Sequence, residues 1–153
     1  MKKKISKHIS FKEATHSNYA TKYGIKNKPT DDIVENMKLV AEKVFEPLRE
    51  WVEHPIKVNS FYRSKELNSA IKGSQVSSHL TGNAIDITSM GGKTNLEMFH
   101  YIKDNLDFDQ LIWEFGAEPK WLHVSYKSED NRKQVLVTKK RGVYYTLSDC
   151  KNC

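Results

Sequence analysis

A chain of 153 residues suffices for one hydrophobic core and is short for two, so a single domain over residues 1–153 is expected, with its ordered core at about 11–147 and a tail at 148–153. Apolar residues make up 38% and charged residues 29%, and no run approaches the roughly 20 apolar residues of a membrane span, which excludes a helical membrane protein. The formal net charge of +6 favours an anionic partner, but the basic residues are scattered, Lys26 and Lys28 lying far from Arg132 and Lys133, and they match no nucleic-acid-binding motif.

The basic opening, residues 1–7, is not followed by an apolar stretch of signal-peptide type, so no cleaved leader is expected. Ser10 with Glu13 three residues on forms a capping-box pattern that opens a short helix, with Gly24 near its end. Thr30 then caps a long helix in which Ile33, Met37, Val40, Val44, Leu48 and Trp51 recur at spacings of 4, 3, 4, 4 and 3, the mark of one apolar face packed on a sheet. Pro47 is expected to kink or interrupt this helix, because an interior proline removes a hydrogen bond. A strand at 56–61, a short helix at 64–71 and a loop at 72–80 follow. Residues 84–88 alternate as a strand. Thr94 and Glu97 form a second capping box, opening a helix through Met98, Phe99 and Ile102. The remaining strands fall at 110–113, 121–126, 134–138 and 143–147, with Lys139-Lys140-Arg141-Gly142 as a hairpin turn in which Gly142 takes positive φ. Helices first and strands later predict an α+β domain, with N-terminal helices packed on a mainly antiparallel sheet.

Two segments carry candidate chemistry. Ser77-Ser78-His79-Leu80-Thr81-Gly82-Asn83-Ala84-Ile85-Asp86 and Trp121-Leu122-His123-Val124-Ser125-Tyr126 supply two imidazoles and a carboxylate in a pattern suited to one metal ion. A catalytic zinc takes three protein ligands from His and Asp or Glu and leaves the fourth position to water. His79, Asp86 and His123 would fill the three. Gly82 lets the backbone turn closely before the strand that carries Asp86, so a loop histidine and a strand carboxylate can converge. Period two at 122–126 puts Leu122 and Val124 on one face and His123 and Ser125 on the other, which aims His123 into a cleft if the apolar face is core. His8, His16, His54 and His100 lie outside this constellation and read as structural or surface residues.

The same residues carry a resemblance. Ser60-Phe61-Tyr62-Arg63-Ser64, Leu67-Asn68, Gly73-Ser74 and the two segments above resemble, in that order, the zinc D-Ala-D-Ala carboxypeptidase family. That family includes VanX-type dipeptidases and phage L-alanyl-D-glutamate endopeptidases, and shares its fold with the hedgehog signalling domain. Its signature S-x-H-x-x-G-x-A-x-D with a later His is matched by Ser77, His79, Gly82, Ala84, Asp86 and His123. The likeness runs from about Phe11 to Val137 and is nearest to small phage-type members. It implies a hedgehog- or DD-peptidase-like domain with one Zn2+ per chain on His79, Asp86 and His123, and hydrolysis of peptidoglycan stem peptides. A phage-derived wall-lytic enzyme of this kind is expected as a monomer, in the host cytoplasm until lysis or on the virion.

Hydrolysis needs a general base, and two carboxylates precede His123: Glu114 and Glu118. VanX-type enzymes carry the catalytic Glu three residues before the last His, where this chain has Lys120, and some carboxypeptidases have a His two before it, where this chain has Trp121. Hedgehog domains carry a Glu at the end of the preceding strand, in a context that Asp109-Gln110-Leu111-Ile112-Trp113-Glu114 resembles, which favours Glu114; Glu118 beside Pro119 also reads as a solvated loop acid. The family places an Arg at the strand-to-helix turn, and Arg63 matches it. Its planar fork suits a substrate carboxylate or a developing oxyanion. Ser77 and Gln75 are read as substrate-binding, with Tyr126 of the same kind, although Ser77 reads equally as a turn-capping hydroxyl. The unmatched base position leaves an alternative, a zinc-binding but non-catalytic hedgehog-like binding or virion protein. Cys150 and Cys153 form a lone C-x-x-C with no second pair to complete a structural zinc site, and read first as part of a frayed tail, with a local disulfide as the other reading.

Overall fold

A computed structural model describes residues 4–150. Strands β1 (Lys4–Ser6) and β2 (Ile9–Ser10) pair as an antiparallel ribbon that sends Ile5 and Ile9 into the core. Helix α1 (Phe11–Thr15) opens with the expected capping box: Ser10 Oγ accepts from Glu13 N at 3.0 Å, and Glu13 Oε1 accepts from Ser10 N at 3.3 Å. The chain does not continue as one helix to Gly24. Ser17 accepts from Ala20 N and caps a second helix, α2 (Asn18–Tyr23), which Gly24 ends at φ 63°.

Thr30 caps α3 (Asp31–Val40), which passes through one π turn (Ala41–Phe45) into α4 (Glu46–Val52). Pro47 therefore does not end the helix. Its missing N–H falls in the first turn of α4, just after the ladder has widened so that Glu46 N bonds back five residues to Ala41 O. The apolar periodicity survives this shift: Met37, Val40, Val44 and Leu48 are fully buried, and Trp51 stacks on Tyr101 with ring centroids 4.2 Å apart. Each such buried aliphatic side chain contributes about 1.5–3 kcal/mol relative to exposure.

The main sheet has six strands in the order β3-β4-β6-β5-β7-β8. They are β3 (Ile56–Ser60), β4 (Ala84–Ser89), β5 (Gln110–Glu114), β6 (Trp121–Ser125), β7 (Gln134–Lys140) and β8 (Val143–Thr146). Every neighbouring pair is antiparallel except β5–β7, which is parallel. Helix α5 (Lys65–Ala70) follows β3, and α6 (Asn95–Asn105) follows β4 behind the capping box of Thr94 and Glu97. α6 brings Met98, Phe99 and Ile102 to the same core as α3 and α4, so the helices are not confined to the N-terminal part of this α+β fold.

Alternation divides the sheet. Ile85, Ile87, Leu111, Trp113, Leu122, Val124 and Val137 are buried in the helix-packed core. Asp86, His123, Ile112 and Glu114 take the other face. Register pairs Asp86 with His123 and His123 with Ile112, while Glu114 pairs with both Trp121 and Thr138, and Thr138 with Tyr144. Directly paired residues point the same way, so these form two side-by-side rows. At the far edge, Arg141 and Gly142 (φ 81°) turn β7 into β8. Cys150 packs at the edge of the core and is not a free thiol; Cys153 lies outside the described residues. Among the described residues, no helix is long and apolar enough to cross a membrane.

Candidate metal centre

The segment at 72–80, read as a loop, ends in one regular turn of 3-10 helix, Ser78–Thr81. Ser77 Oγ caps it, accepting from His79 N at 3.2 Å, and Gly82 closes it at φ 75°. A Cβ on Gly82 would lie 2.7 Å from Met37 Cγ and 2.8 Å from Ile33 O, so glycine lets the turn sit directly on α3. That seating buries the His79 ring, whose Nδ1 donates to the Phe61 carbonyl at 2.6 Å. A carbonyl only accepts, so Nδ1 carries the hydrogen and Nε2 presents a lone pair.

The lone pair points at Asp86. His79 Nε2 lies 3.2 Å and His123 Nδ1 2.9 Å from the same oxygen, Asp86 Oδ1. The two imidazole rings meet edge-on with centroids 5.1 Å apart. One ligand atom from each of His79, Asp86 and His123 can be chosen so that all lie within 4.8 Å of one another, a group that could hold a metal ion.

The residues fit a zinc ion. Nε2 of His79 is buried and has no hydrogen-bond partner among the described residues, since at 3.2 Å it and the carboxylate oxygen face each other as two acceptors. A buried group left this way costs about 1–3 kcal/mol, which a cation shared by both atoms would offset. Tetrahedral zinc with bonds of about 2.0–2.1 Å spaces its ligands roughly 3.3 Å apart, close to the separations here. Burial pushes the His79 imidazole below its ordinary pKa despite the opposing pull of Asp86, and so keeps it neutral, as a ligand must be.

Arg63 and Glu114 flank this trio. Arg63 N donates to the His79 carbonyl at 3.1 Å, tying the strand-to-helix turn to the His79 turn. Its Nη1 donates to Asn68 Oδ1 at 3.2 Å, while Nε is buried with no partner among the described residues. Asn68 is itself buried and donates through Nδ2 to Ser74 O at 2.9 Å. The 73–74 loop reaches it only because residue 73 is glycine: a Cβ there would lie 2.1 Å from Asn68 Oδ1 and 3.0 Å from Arg63 Nη1. Burial pushes the guanidinium below its ordinary value, while Asp86 and Glu114 pull it back up. Glu114, partly buried at the end of β5, has its carboxyl pushed up to about 7, chiefly by burial; Asp86 adds to the rise, and His123 and Arg63 oppose it. A carboxylate that titrates near neutrality in this field suits general-base chemistry. Glu118 is exposed in the β5–β6 connection.

The other sequence candidates separate. Gln75 is exposed ahead of Ser77, with no hydrogen bond to the trio among the described residues. Tyr126 packs against the core, and its backbone brackets Asn83, accepting from Nδ2 at 3.0 Å and donating to the carbonyl at 2.9 Å. His8 pairs with Glu46 at 2.6 Å, His16 with Asn18 at 2.9 Å and His54 with the Pro55 carbonyl at 3.2 Å, and His100 packs edge-on against Phe99. Two residues given no role from sequence join the site: Asn68, through Arg63, and Tyr144, which stands in Glu114's row. Burial raises the Tyr144 phenol, and Glu114 and Asp86 raise it further. Arg141 Nη2 donates to the Lys72 carbonyl at 2.9 Å, fastening the β7–β8 hairpin to the loop that leads to His79.

A family model described as Peptidase M15 matches residues 7–125, a span that includes Arg63, His79, Asp86, Glu114 and His123. No curated protein matches the chain.

Proposed function

The chain belongs to the peptidase M15 family of metallopeptidases, and on that premise we propose that it is a zinc-dependent peptidase that hydrolyses peptidoglycan stem peptides. The observation that carries this reading is the orphaned Nε2 of His79 converging with Asp86 and His123 beside a carboxyl that titrates near neutrality.

When bound, zinc would supply Lewis acidity, polarising the scissile carbonyl and acidifying a water molecule. Glu114 takes the proton of the attacking water on its carboxylate and returns it to the leaving amine. For this it must begin ionised and end neutral, and burial, which raises the carboxyl, lowers the cost of its protonated state. Arg63 offers its unpartnered Nε and planar fork to the oxyanion or to a substrate carboxylate, held in place by Asn68. Ser77 holds His79 through the capped turn, and the exposed Gln75, two residues earlier, is assigned as a substrate contact. The net charge of +6 favours approach to an anionic cell wall.

Two bonds fit this chemistry: the terminal D-Ala-D-Ala bond, cut by a carboxypeptidase, and the L-Ala-D-Glu bond, cut by an endopeptidase. The motif resemblance to small phage-type members supports a phage-derived lytic enzyme acting as a monomer, released from the host cytoplasm at lysis or carried on the virion. Mass spectrometry of fragments that the zinc-loaded protein releases from purified sacculi tests the proposal. Loss of D-Ala or a cut between L-Ala and D-Glu is expected. An unchanged fragment pattern with zinc bound would instead favour a non-catalytic, hedgehog-like binding or virion protein.

A further inference from the structure

We propose that the groove between the α1–α2 connection and the free edge of β3 is the substrate's docking site, where a carboxylate-bearing peptide lies extended as an added strand. This rests on the peptidase reading and names where its substrate binds.

Strand β3 is the edge of the main sheet and, among the described residues, pairs only with β4. Among the described residues, no backbone hydrogen bond joins residues 57–60 to any element on the outer side. An unpaired strand edge offers a ready row of donors and acceptors, and peptide recognition by strand addition uses such an edge. The edge is not left open to a full strand. A groove of about 640 Å³ runs along it, walled by His16 and Tyr19 on one side and by Leu67 of α5 on another.

The groove borders the strand that pairs with the one carrying Asp86. Ser60 in its lining is the register partner of Asp86, and Arg63, also in its lining, donates its backbone N–H to the His79 carbonyl. Beyond Ser60 the edge is closed: Tyr62 N is taken by the Ala14 carbonyl, and Tyr62 O accepts from Asn27 Nδ2. The free length is thus residues 57–60, about 13 Å at roughly 3.3 Å per residue, which matches a peptide of three to four residues.

Charge selects the occupant. Lys57 and Arg63 line the groove together with His16, and no Asp or Glu lines it among the described residues. Arg63, which lines it, also carries a buried Nε with no partner among the described residues. Stem peptides carry carboxylates and are short, so backbone pairing along β3 would supply affinity, and the basic lining would select acidic peptides over neutral ones.

The test uses the zinc-loaded full chain. Lys57 is exposed and lies outside the metal trio, so Lys57→Glu is expected to keep wild-type zinc content and kcat while KM for a stem peptide rises about tenfold. In a Glu114→Gln background, the same peptide should slow hydrogen exchange at amides of residues 57–60. Unchanged KM in Lys57→Glu, or protection confined to the β7–β8 hairpin, overturns the groove while cleavage by the wild type leaves the peptidase reading standing. A wild-type protein that binds zinc yet cleaves no stem peptide overturns that reading, and the groove as its substrate site with it.

Discussion

Nε2 of His79 and Oδ1 of Asp86 face each other at 3.2 Å with no hydrogen between them, because the only proton on the neutral His79 ring is committed to the Phe61 carbonyl. Such an opposition of two acceptors in a buried place is unfavourable by itself and becomes favourable when a cation sits between them.

Removal of any one ligand should therefore show in metal binding before it shows in folding. His79→Ala, Asp86→Ala and His123→Ala are expected to weaken zinc affinity by at least about a hundredfold, since even partners outside the ligand set cost about 10–100-fold. Zinc should raise the melting temperature of the wild type and leave those of the variants nearly unchanged. Isothermal titration and thermal scans with and without chelator check this.

Glu114 and Glu118 are separated by one substitution each. Glu114→Gln should keep its zinc and lose about 10²–10⁴-fold in kcat, the range of a missing general base. Glu118→Gln, at an exposed loop position, should stay within about twofold. Equal losses in both would remove the base assignment.

The same carboxyl predicts a pH signature in the metal-free protein. Its folded pKa of about 7 stands above the ordinary 4.5, so the folded state keeps a proton that the unfolded chain releases. Its stabilising contribution is full below about 4.5 and is lost as pH rises through about 7. Relative to Glu114→Gln, the metal-free wild type should lose stability across that window in urea titrations. Parallel curves would contradict it. In the zinc-loaded enzyme the added positive charge lowers the carboxyl, so the acid limb of kcat/KM should fall below that of the metal-free titration.

Asn68 is a positioning residue. Asn68→Ala leaves Arg63 Nη1 without its acceptor and frees the 73–74 loop. It should lower kcat/KM about tenfold, equivalent to roughly 1.4 kcal/mol, at unchanged zinc content. Partial recovery with Asn68→Asp, which keeps an acceptor for Arg63, would separate positioning from loss of packing.

Gly82→Ala should destabilise the fold as well as the site. The left-handed backbone costs about 1–2 kcal/mol for an L side chain, and the new Cβ would press on Met37 and the Ile33 carbonyl at 2.7 and 2.8 Å. Urea unfolding should show the loss, and zinc affinity should fall with it because the His79 turn moves.

The candidate metal trio could be named from sequence because its members sit in two short segments that carry the family's motif. Gly82 and a two-residue period, with the motif resemblance, point to His79, Asp86 and His123 as a group, whereas their geometry rests on distant parts of the chain: the β4–β6 register, the α3 seat under Gly82 and the Phe61 carbonyl. The position of Tyr144 was not legible, because it depends on β7 pairing parallel to β5, a choice that no local pattern encodes. Asn68 carries no local signal beyond its place in the motif; its contact with Arg63 exists because Gly73 lets a loop close over it. Pro47 was expected to disturb the long helix, and the disturbance takes the form of a π turn that shifts the ladder while keeping the apolar face inward. The split between α1 and α2 turned on Ser17, a second capping hydroxyl seven residues after the first.

The most direct test is anomalous diffraction at the zinc edge from crystals of the zinc-loaded protein. One peak within bonding distance of His79 Nε2, Asp86 Oδ1 and a ring nitrogen of His123, with the Glu114 carboxyl facing it, is the predicted result. A zinc peak elsewhere, or none in a protein that still hydrolyses stem peptides, would contradict the account.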